Sequence, residues 1–194
     1  MQISGIILAG GQSSRMGTNK SLLEINGEPA IAHINNELSH FCHDRAVISN
    51  DPAPYAFLGT DIYCDRYKHK GPLAGIEAGL YHSSNDICAF AACDMPFISR
   101  EVYLLLLHAM HSYDYDAVVP VYNEKMHPLS GIYRKRVLPE VENLLERDQR
   151  KVRTLFEHIN VRYVSNYEGI DDHLLLKHFF NMNYPHQYEE AKHL

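Results

Sequence analysis

Thirteen consecutive residues carry most of the chain's chemical promise: Leu8-Ala9-Gly10-Gly11-Gln12-Ser13-Ser14-Arg15-Met16-Gly17-Thr18-Asn19-Lys20, closing an apolar run that starts at Ile3. Gly10 and Gly11 lack Cβ, so backbone N–H groups there can converge on an anion as a nest. Arg15 and Lys20 add the full positive charge that a polyphosphate needs. Two better-known phosphate loops fail on spacing. A P-loop places Lys directly after its second Gly, whereas Thr18 and Asn19 separate Gly17 from Lys20. The dinucleotide fingerprint spaces its glycines and opens a long helix, whereas Gly10 and Gly11 are adjacent and residues 21–25 read as a short strand.

A second chemical residue is Asp94. The continuous apolar run Ile87–Ala92 predicts a central strand covered on both faces, and it ends in Cys93-Asp94-Met95-Pro96. Ser99 is the better cap for the helix that follows, which leaves Asp94 free for other work. The third feature is Gly71-Pro72-Leu73-Ala74-Gly75, a turn leading into a helix. Leu73, Ile76 and Leu80 share one face of that helix, and Ala74, Gly75, Ala78 and Gly79 allow close approach to a neighbour. All three loops are expected at strand C-termini along one sheet edge, where open α/β sheets bind ligands. A nest with two cations accepts a triphosphate, and a carboxylate opposite it can hold Mg²⁺, which takes one or two protein carboxylates plus phosphate oxygens. That combination suggests nucleotidyl transfer, in which an acceptor oxygen attacks the α-phosphorus in line and pyrophosphate leaves. Such a step asks for positioning and charge neutralisation rather than a protein nucleophile.

The elements that must position these loops follow an α/β order. Strands are expected at Ile3–Leu8, 45–49, 62–64, Ile87–Ala92, 117–121 and 161–165. A helix starts near Pro29, with Ile31, Ile34 and Leu38 on its apolar face. Further helices are expected at 101–111, with Val102, Leu105, Leu106 and Ala109 inward, at 134–147, with Val137, Val141, Leu144 and Leu145 inward, at 154–158, and from Pro185 onward. Strand alternating with helix implies a parallel sheet. The strand at 117–121 and the segment around 127–133 form a hairpin appended to that sheet.

Length and composition narrow the class. A chain of 194 residues is expected to be one domain, 1–194. A net charge of −6 speaks against bulk binding to nucleic acid or anionic membrane, so positive charge should be local to a site. Cys42, Cys64, Cys88 and Cys93 form no C-x-x-C pair, which fits reduced thiols. No stretch approaches a membrane span and no signal-peptide pattern is present, so a cytoplasmic location is expected. The thirteen histidines show no metal-ligand spacing, and residues such as His33, His40, His82 and His108 are read as surface or boundary positions.

Taken together, Leu8-Ala9-Gly10-Gly11-x-Ser-x-Arg15-Met16-Gly17-x-x-Lys20, Gly71-Pro72-Leu73-Ala74-Gly75, Cys93-Asp94-Met95-Pro96, His127-Pro128-Leu129 and Asn181-x-Asn183-x-Pro185 resemble the successive motifs of the molybdenum cofactor guanylyltransferases. The resemblance implies a three-layer α/β/α sandwich with a mostly parallel sheet, Rossmann-like and akin to the nucleotide-diphospho-sugar transferases. It implies transfer of GMP from Mg-GTP to the terminal phosphate of molybdenum-molybdopterin, giving the guanine dinucleotide cofactor and pyrophosphate, with cofactor-delivering and cofactor-accepting proteins as further partners. By the same resemblance Leu8, Ala9, Gly10 and Gly11 contact the nucleotide and Lys20 its phosphates. Asn50 and Asp65 lie near the guanosine, Asp94 ligates Mg²⁺, and Arg15 helps neutralise the leaving pyrophosphate. Asn181, Asn183 and Arg150 border the acceptor. Similar CMP-transferring enzymes tend to carry Ala at Gly10 and Asp at Asn181 and Asn183, so the residues here are of the guanylyl type; Tyr184 stands where Thr is usual. A cytidylyl or sugar-phosphate nucleotidyltransferase of the same fold, or a GTP-binding adaptor without turnover, are the alternatives.

Overall fold

The first strand, β1 (Ile3–Leu8), is buried along its whole length, as a strand covered on both faces must be. The computed structural model describes residues 2–10 and 19–194. Gly11 and Arg15 therefore lie outside the described residues. Where 21–25 was expected to be a strand, Lys20–Leu22 forms a 3₁₀ turn instead. Asn19 accepts the Ser21 N–H there, and this local side-chain bond competes with extension. Only Glu24–Ile25 (β2) is extended, and it pairs with Glu28–Pro29 (β3) across Asn26-Gly27. Both turn residues have positive φ, 53° and 85°, the geometry of a two-residue hairpin.

The chain continues through α1 (Ala30–Ser39), which buries Ile31, Ile34 and Leu38 as its periodicity predicts. Then come β4 (Asp44–Ile48), a 3₁₀ helix at Ala53–Leu58 and β5 (Asp61–Tyr63). Next are α2 (Pro72–His82), β6 (Ile87–Ala92) and α3 (Arg100–Ser112), the last capped by Ser99, whose side chain accepts the Glu101 N–H. In α3 the buried face is Val102, Tyr103, Leu106, Leu107 and Met110. Leu105 and Ala109, expected inward, are only partly buried at its margin.

After β7 (Ala117–Tyr122) the chain turns at Asn123-Glu124 into β8 (Lys125–Met126) and then β9 (Ile132–Arg134). The remaining elements are α4 (Leu138–Glu146), α5 (Val152–Leu155), β10 (Val161–Val164), α6 (Asp172–His178) and α7 (Pro185–Ala191). Two expected helices shift. The 134–147 helix begins later because Arg134 is held in β9, and the 154–158 helix ends early at Leu155.

The main sheet has the order β10-β7-β9-β6-β1-β4-β5, with β8 on β7. β1 pairs in parallel with β4 and β6, β4 with β5, and β7 with β10. The exception along that path is β9, antiparallel to both β6 and β7. The segment expected as an appended hairpin is thus inserted between two strands. Its backbone meets both ladders, which hairpin pairing with β7 alone would not achieve. One face of the sheet is covered by α1, α3 and α6, the other by α2, α4 and α5, each with its own apolar cluster. The architecture is the three-layer α/β/α sandwich with a mostly parallel sheet. Close approach of α2 depends on Gly79: a Cβ there would sit 2.6 Å from Phe90 and 2.7 Å from Ile6. No described helix is long and apolar enough to cross a membrane.

Candidate active site

Parallel strands that end at one edge deliver the loops expected to carry chemistry. The ends of β1, β4 and β6 are laced together by backbone: Ala9 N–H donates to the Ile48 carbonyl at 3.0 Å, and Cys93 N–H to the Leu8 carbonyl at 3.1 Å. Leu8 is buried beneath α2, Ala9 is half-buried, and Gly10 is exposed. Among the described residues a Cβ at Gly10 would meet nothing within 4 Å. No described side chain packs where that Cβ would stand.

Lys20 and Asp94, 74 positions apart in sequence, meet at this edge. Lys20 Nζ donates to Asp94 Oδ2 at 3.1 Å and to Asn183 Oδ1 at 3.0 Å. Their side chains remain 19% and 25% exposed for Lys20 and Asp94, so solvent or a ligand reaches them. Asp94 Oδ1 has no partner among the described residues. The neighbouring Met182 N–H donates to the Asp94 carbonyl at 2.8 Å, which seats the half-buried Asn181 and Asn183 beside the Asp94 turn. The Asp94 oxygen not bonded to Lys20 is the atom at this edge that could hold a divalent cation, which takes oxygen ligands and completes its shell with phosphate and water. Among the described residues no cluster of three or more His, Cys, Asp or Glu is present.

Asn50 and Asp65 form a separate pair beyond the ends of β4 and β5. Asn50 Nδ2 donates to Asp65 Oδ2 at 2.9 Å and the Asp65 N–H donates back to Asn50 Oδ1 at 3.2 Å. Burial pushes the Asp65 carboxyl up from its ordinary range, against the opposing effect of the Asn50 bond. Next to it Arg66 is anchored on Glu77 of α2 and Glu142 of α4 and lies 3.7 Å over the Tyr81 ring. Arg150 is not joined to Asn181 and Asn183. Its guanidinium holds Asp148, which also pairs with Lys70, and its carbonyl lies by Gly71 at the start of α2.

Sequence reasoning missed three residues here. His127 lies close enough to Asp94 for the carboxylate to act on it, although burial is the larger effect and lowers its affinity for a proton. Its place at the head of His127-Pro128-Leu129 was the available signal. His178 is fully buried: Nδ1 accepts the Ser99 N–H at 2.8 Å and Nε2 meets Ser130 Oγ at 3.1 Å. Because Nδ1 accepts, Nε2 carries the proton and donates, and burial pushes the ring's pKa down to about 3. This histidine staples the segment after Asp94 to the segment before Asn181. Tyr55, between two expected strands, is buried under the Lys20 turn. His33, His40, His82 and His108 are half-buried or exposed, as expected.

A mostly parallel sheet that brings an acid and a lysine together at its carboxyl edge places the chain in the open α/β class, whose ligands bind at that edge. Within that class the particular family is set by comparison. Residues 5–163 match the model of the MobA-like NTP transferase domain, and the chain belongs to that family, a family of nucleotidyltransferases. It is similar to a probable molybdenum cofactor guanylyltransferase of Carboxydothermus hydrogenoformans, 37% identical over 95% of this chain and 92% of the relative. Another, from Clostridium perfringens, is 34% identical over 96% and 94%. Among solved structures, molybdopterin-guanine dinucleotide biosynthesis protein A from Archaeoglobus fulgidus superposes with a TM-score of 0.83 at 27% identity, covering 98% of this chain and 97% of that one.

Proposed function

We propose that this chain transfers GMP from Mg-GTP to molybdenum-molybdopterin, releasing pyrophosphate and forming the guanine dinucleotide cofactor. The observation that carries the proposal is the meeting of Lys20, Asp94 and Asn183 at the carboxyl edge of the sheet, in a chain whose relatives bear that enzyme's name. A phosphate oxygen of the acceptor attacks the α-phosphorus. The bond from that phosphorus to the β-phosphate bridging oxygen breaks, and its electron pair leaves with pyrophosphate. Lys20 binds the triphosphate and offsets its charge, joined by Arg15 and by the amides of Leu8, Ala9, Gly10 and Gly11. Asp94 would hold Mg²⁺, which supplies further charge neutralisation on the phosphates. Asn50 and Asp65 orient the guanosine. Asn181 and Asn183 line the acceptor, held in range of the nucleotide by the Lys20 and Asp94 bonds; Arg150, beside Gly71, borders it from the α2 side. Glycine rather than alanine at position 10 supports a guanylyl over a cytidylyl enzyme, because similar CMP-transferring enzymes tend to carry Ala there.

Label transfer tests this. Incubated with molybdenum-molybdopterin, Mg²⁺ and α-labelled GTP, the protein should move label to the pterin with one pyrophosphate released per transfer. Transfer from CTP in preference to GTP would remove the guanylyl assignment. GTP binding with no transfer would favour an adaptor.

A further inference from the structure

Lys20 works only if the turn that carries it is held at a fixed distance from the end of β1. The described residues show what holds it. Tyr55, on the 3₁₀ helix Ala53–Leu58, is 2% exposed and points its hydroxyl between the two feet of the segment that joins Ala9 to Lys20. On one foot, Asn19 Nδ2 donates to Tyr55 Oη at 2.9 Å and Ser21 Oγ lies 3.0 Å from it. On the other, the Tyr55 hydroxyl faces the Ala9 carbonyl at 3.4 Å. The Asn19 foot is braced further: Asn19 Oδ1 accepts both Ser21 Oγ–H at 2.6 Å and Ser21 N–H at 3.2 Å. With the Ser21 proton given to Asn19, the Tyr55 proton is shared between Ser21 Oγ and the Ala9 carbonyl. A single buried hydroxyl thus ties both feet to the core.

We propose that Tyr55 is a positioning residue for nucleotide binding, clamping Ala9 and the Asn19–Ser21 turn so that Lys20 is presented to the triphosphate. At 2% exposure it acts through the residues it holds rather than by contact with a ligand. The inference rests on the nucleotide reading above for its consequence, while the clamp itself is a property of the ligand-free protein. Leu22 and Leu23 N–H bond only within the turn, to the Asn19 and Lys20 carbonyls, and its ties elsewhere, Ala30 N–H on the Leu23 carbonyl and Lys20 Nζ on Asp94 and Asn183, do not reach Ala9.

Tyr55→Phe tests it, since the ring keeps its place in the apolar cluster and only the hydroxyl is lost. Losing one hydroxyl with three contacts should weaken GTP binding by about 5- to 20-fold, measured by calorimetry with Mg²⁺, and raise KM for GTP with little change in kcat. Amide exchange at Ser21 and Leu22 should quicken in the ligand-free variant. Tyr167→Phe is the control: Tyr167 is also buried and its hydroxyl donates to the Val121 and Val164 carbonyls, away from this turn. It should lose comparable stability, a melting shift of about 2–4 °C, yet leave GTP affinity unchanged. Asn19→Ala should weaken GTP as Tyr55→Phe does, and the double variant should be no worse than either single one. Unchanged exchange in Tyr55→Phe overturns the clamp, and so does equal loss of GTP affinity in Tyr55→Phe and Tyr167→Phe. Wild-type protein that binds no GTP refutes the nucleotide reading, and with it the role assigned to Tyr55, while the exchange result still reports the contact.

Discussion

Two polar clusters lie along the carboxyl side of the sheet, and they are built in opposite ways. The Lys20–Asp94–Asn183 cluster is partly open to solvent and has spare capacity, with one oxygen of Asp94 uncommitted among the described residues. The Ser99–His178–Ser130–Tyr103 cluster is fully enclosed and saturated: His178 uses both ring nitrogens, and Tyr103 Oη donates to the Phe90 carbonyl at 2.6 Å. A buried polar group left unpaired costs as much as a lost hydrogen bond, so the inner cluster must be complete to exist at all. The outer cluster can exchange its internal bonds for bonds to a ligand, because water and phosphate are acceptable substitutes. The inner one ties the segment after Asp94 to the segment before Asn181 and serves stability; the outer one keeps atoms available to a ligand.

The contrast can be broken at either cluster. The largest effect belongs to Asp94→Asn, which should cut GMP transfer by about 10²-fold or more while the melting temperature moves by less than about 3 °C. Equal turnover in that variant would remove the carboxylate from the chemistry. His178→Ala should do the reverse. Stranding the Ser99 N–H and the Ser130 hydroxyl should cost about 2–3 kcal/mol in urea unfolding, with transfer per folded molecule largely kept. Next, Lys20→Ala should weaken GTP binding about tenfold, the scale of one charge-assisted bond to phosphate, with a smaller change in stability. Unfolding with unchanged GTP affinity would instead make Lys20 a structural residue.

Acid titration sharpens the same comparison. His178, at about 3 against an ordinary 6.5, is neutral when folded, while the unfolded chain takes up a proton. Its contribution to stability is therefore lost as pH falls from 6.5 toward 3. Glu77 runs the other way. Its carboxyl is pushed up to about 7 by burial, partly opposed by Arg66, and its Oε2 has no hydrogen-bond partner among the described residues. The folded chain binds that proton first, so stability rises as pH falls from 7 toward 4.5. Glu77→Gln should make unfolding midpoints fall more steeply with acid over that window than in the wild type, and His178→Asn less steeply. Parallel curves for all three would mean that neither group is linked to folding.

The parts of this arrangement that sequence reveals are those with local physical signatures. An unbroken apolar strand locates Asp94 at a sheet edge, and α2 shows its close packing in its run of small residues. Of the stretch read as a phosphate loop, Lys20 reaches the Asp94 edge, while Gly11 and Arg15 lie outside the described residues. What could not be read is contact over long separations between short elements. β9 has three residues and a pairing on each side, too short for a periodicity to declare it an inserted strand. His178 lies in a chain of thirteen histidines, with nothing local to distinguish the buried one. Asn183 stands 163 residues from Lys20, and only family resemblance suggested that they share a site. Arg150, which the resemblance places at the acceptor, has Asp148 as its direct partner.

The most direct test is a structure with GTP and Mg²⁺ bound and no acceptor. Lys20 Nζ should lie within hydrogen-bonding distance of the triphosphate, with the base beside Asn50 and Asp65 and the Asp94 carboxylate turned toward the phosphates. A nucleotide bound elsewhere, with the Lys20–Asp94–Asn183 bonds intact, would contradict the account.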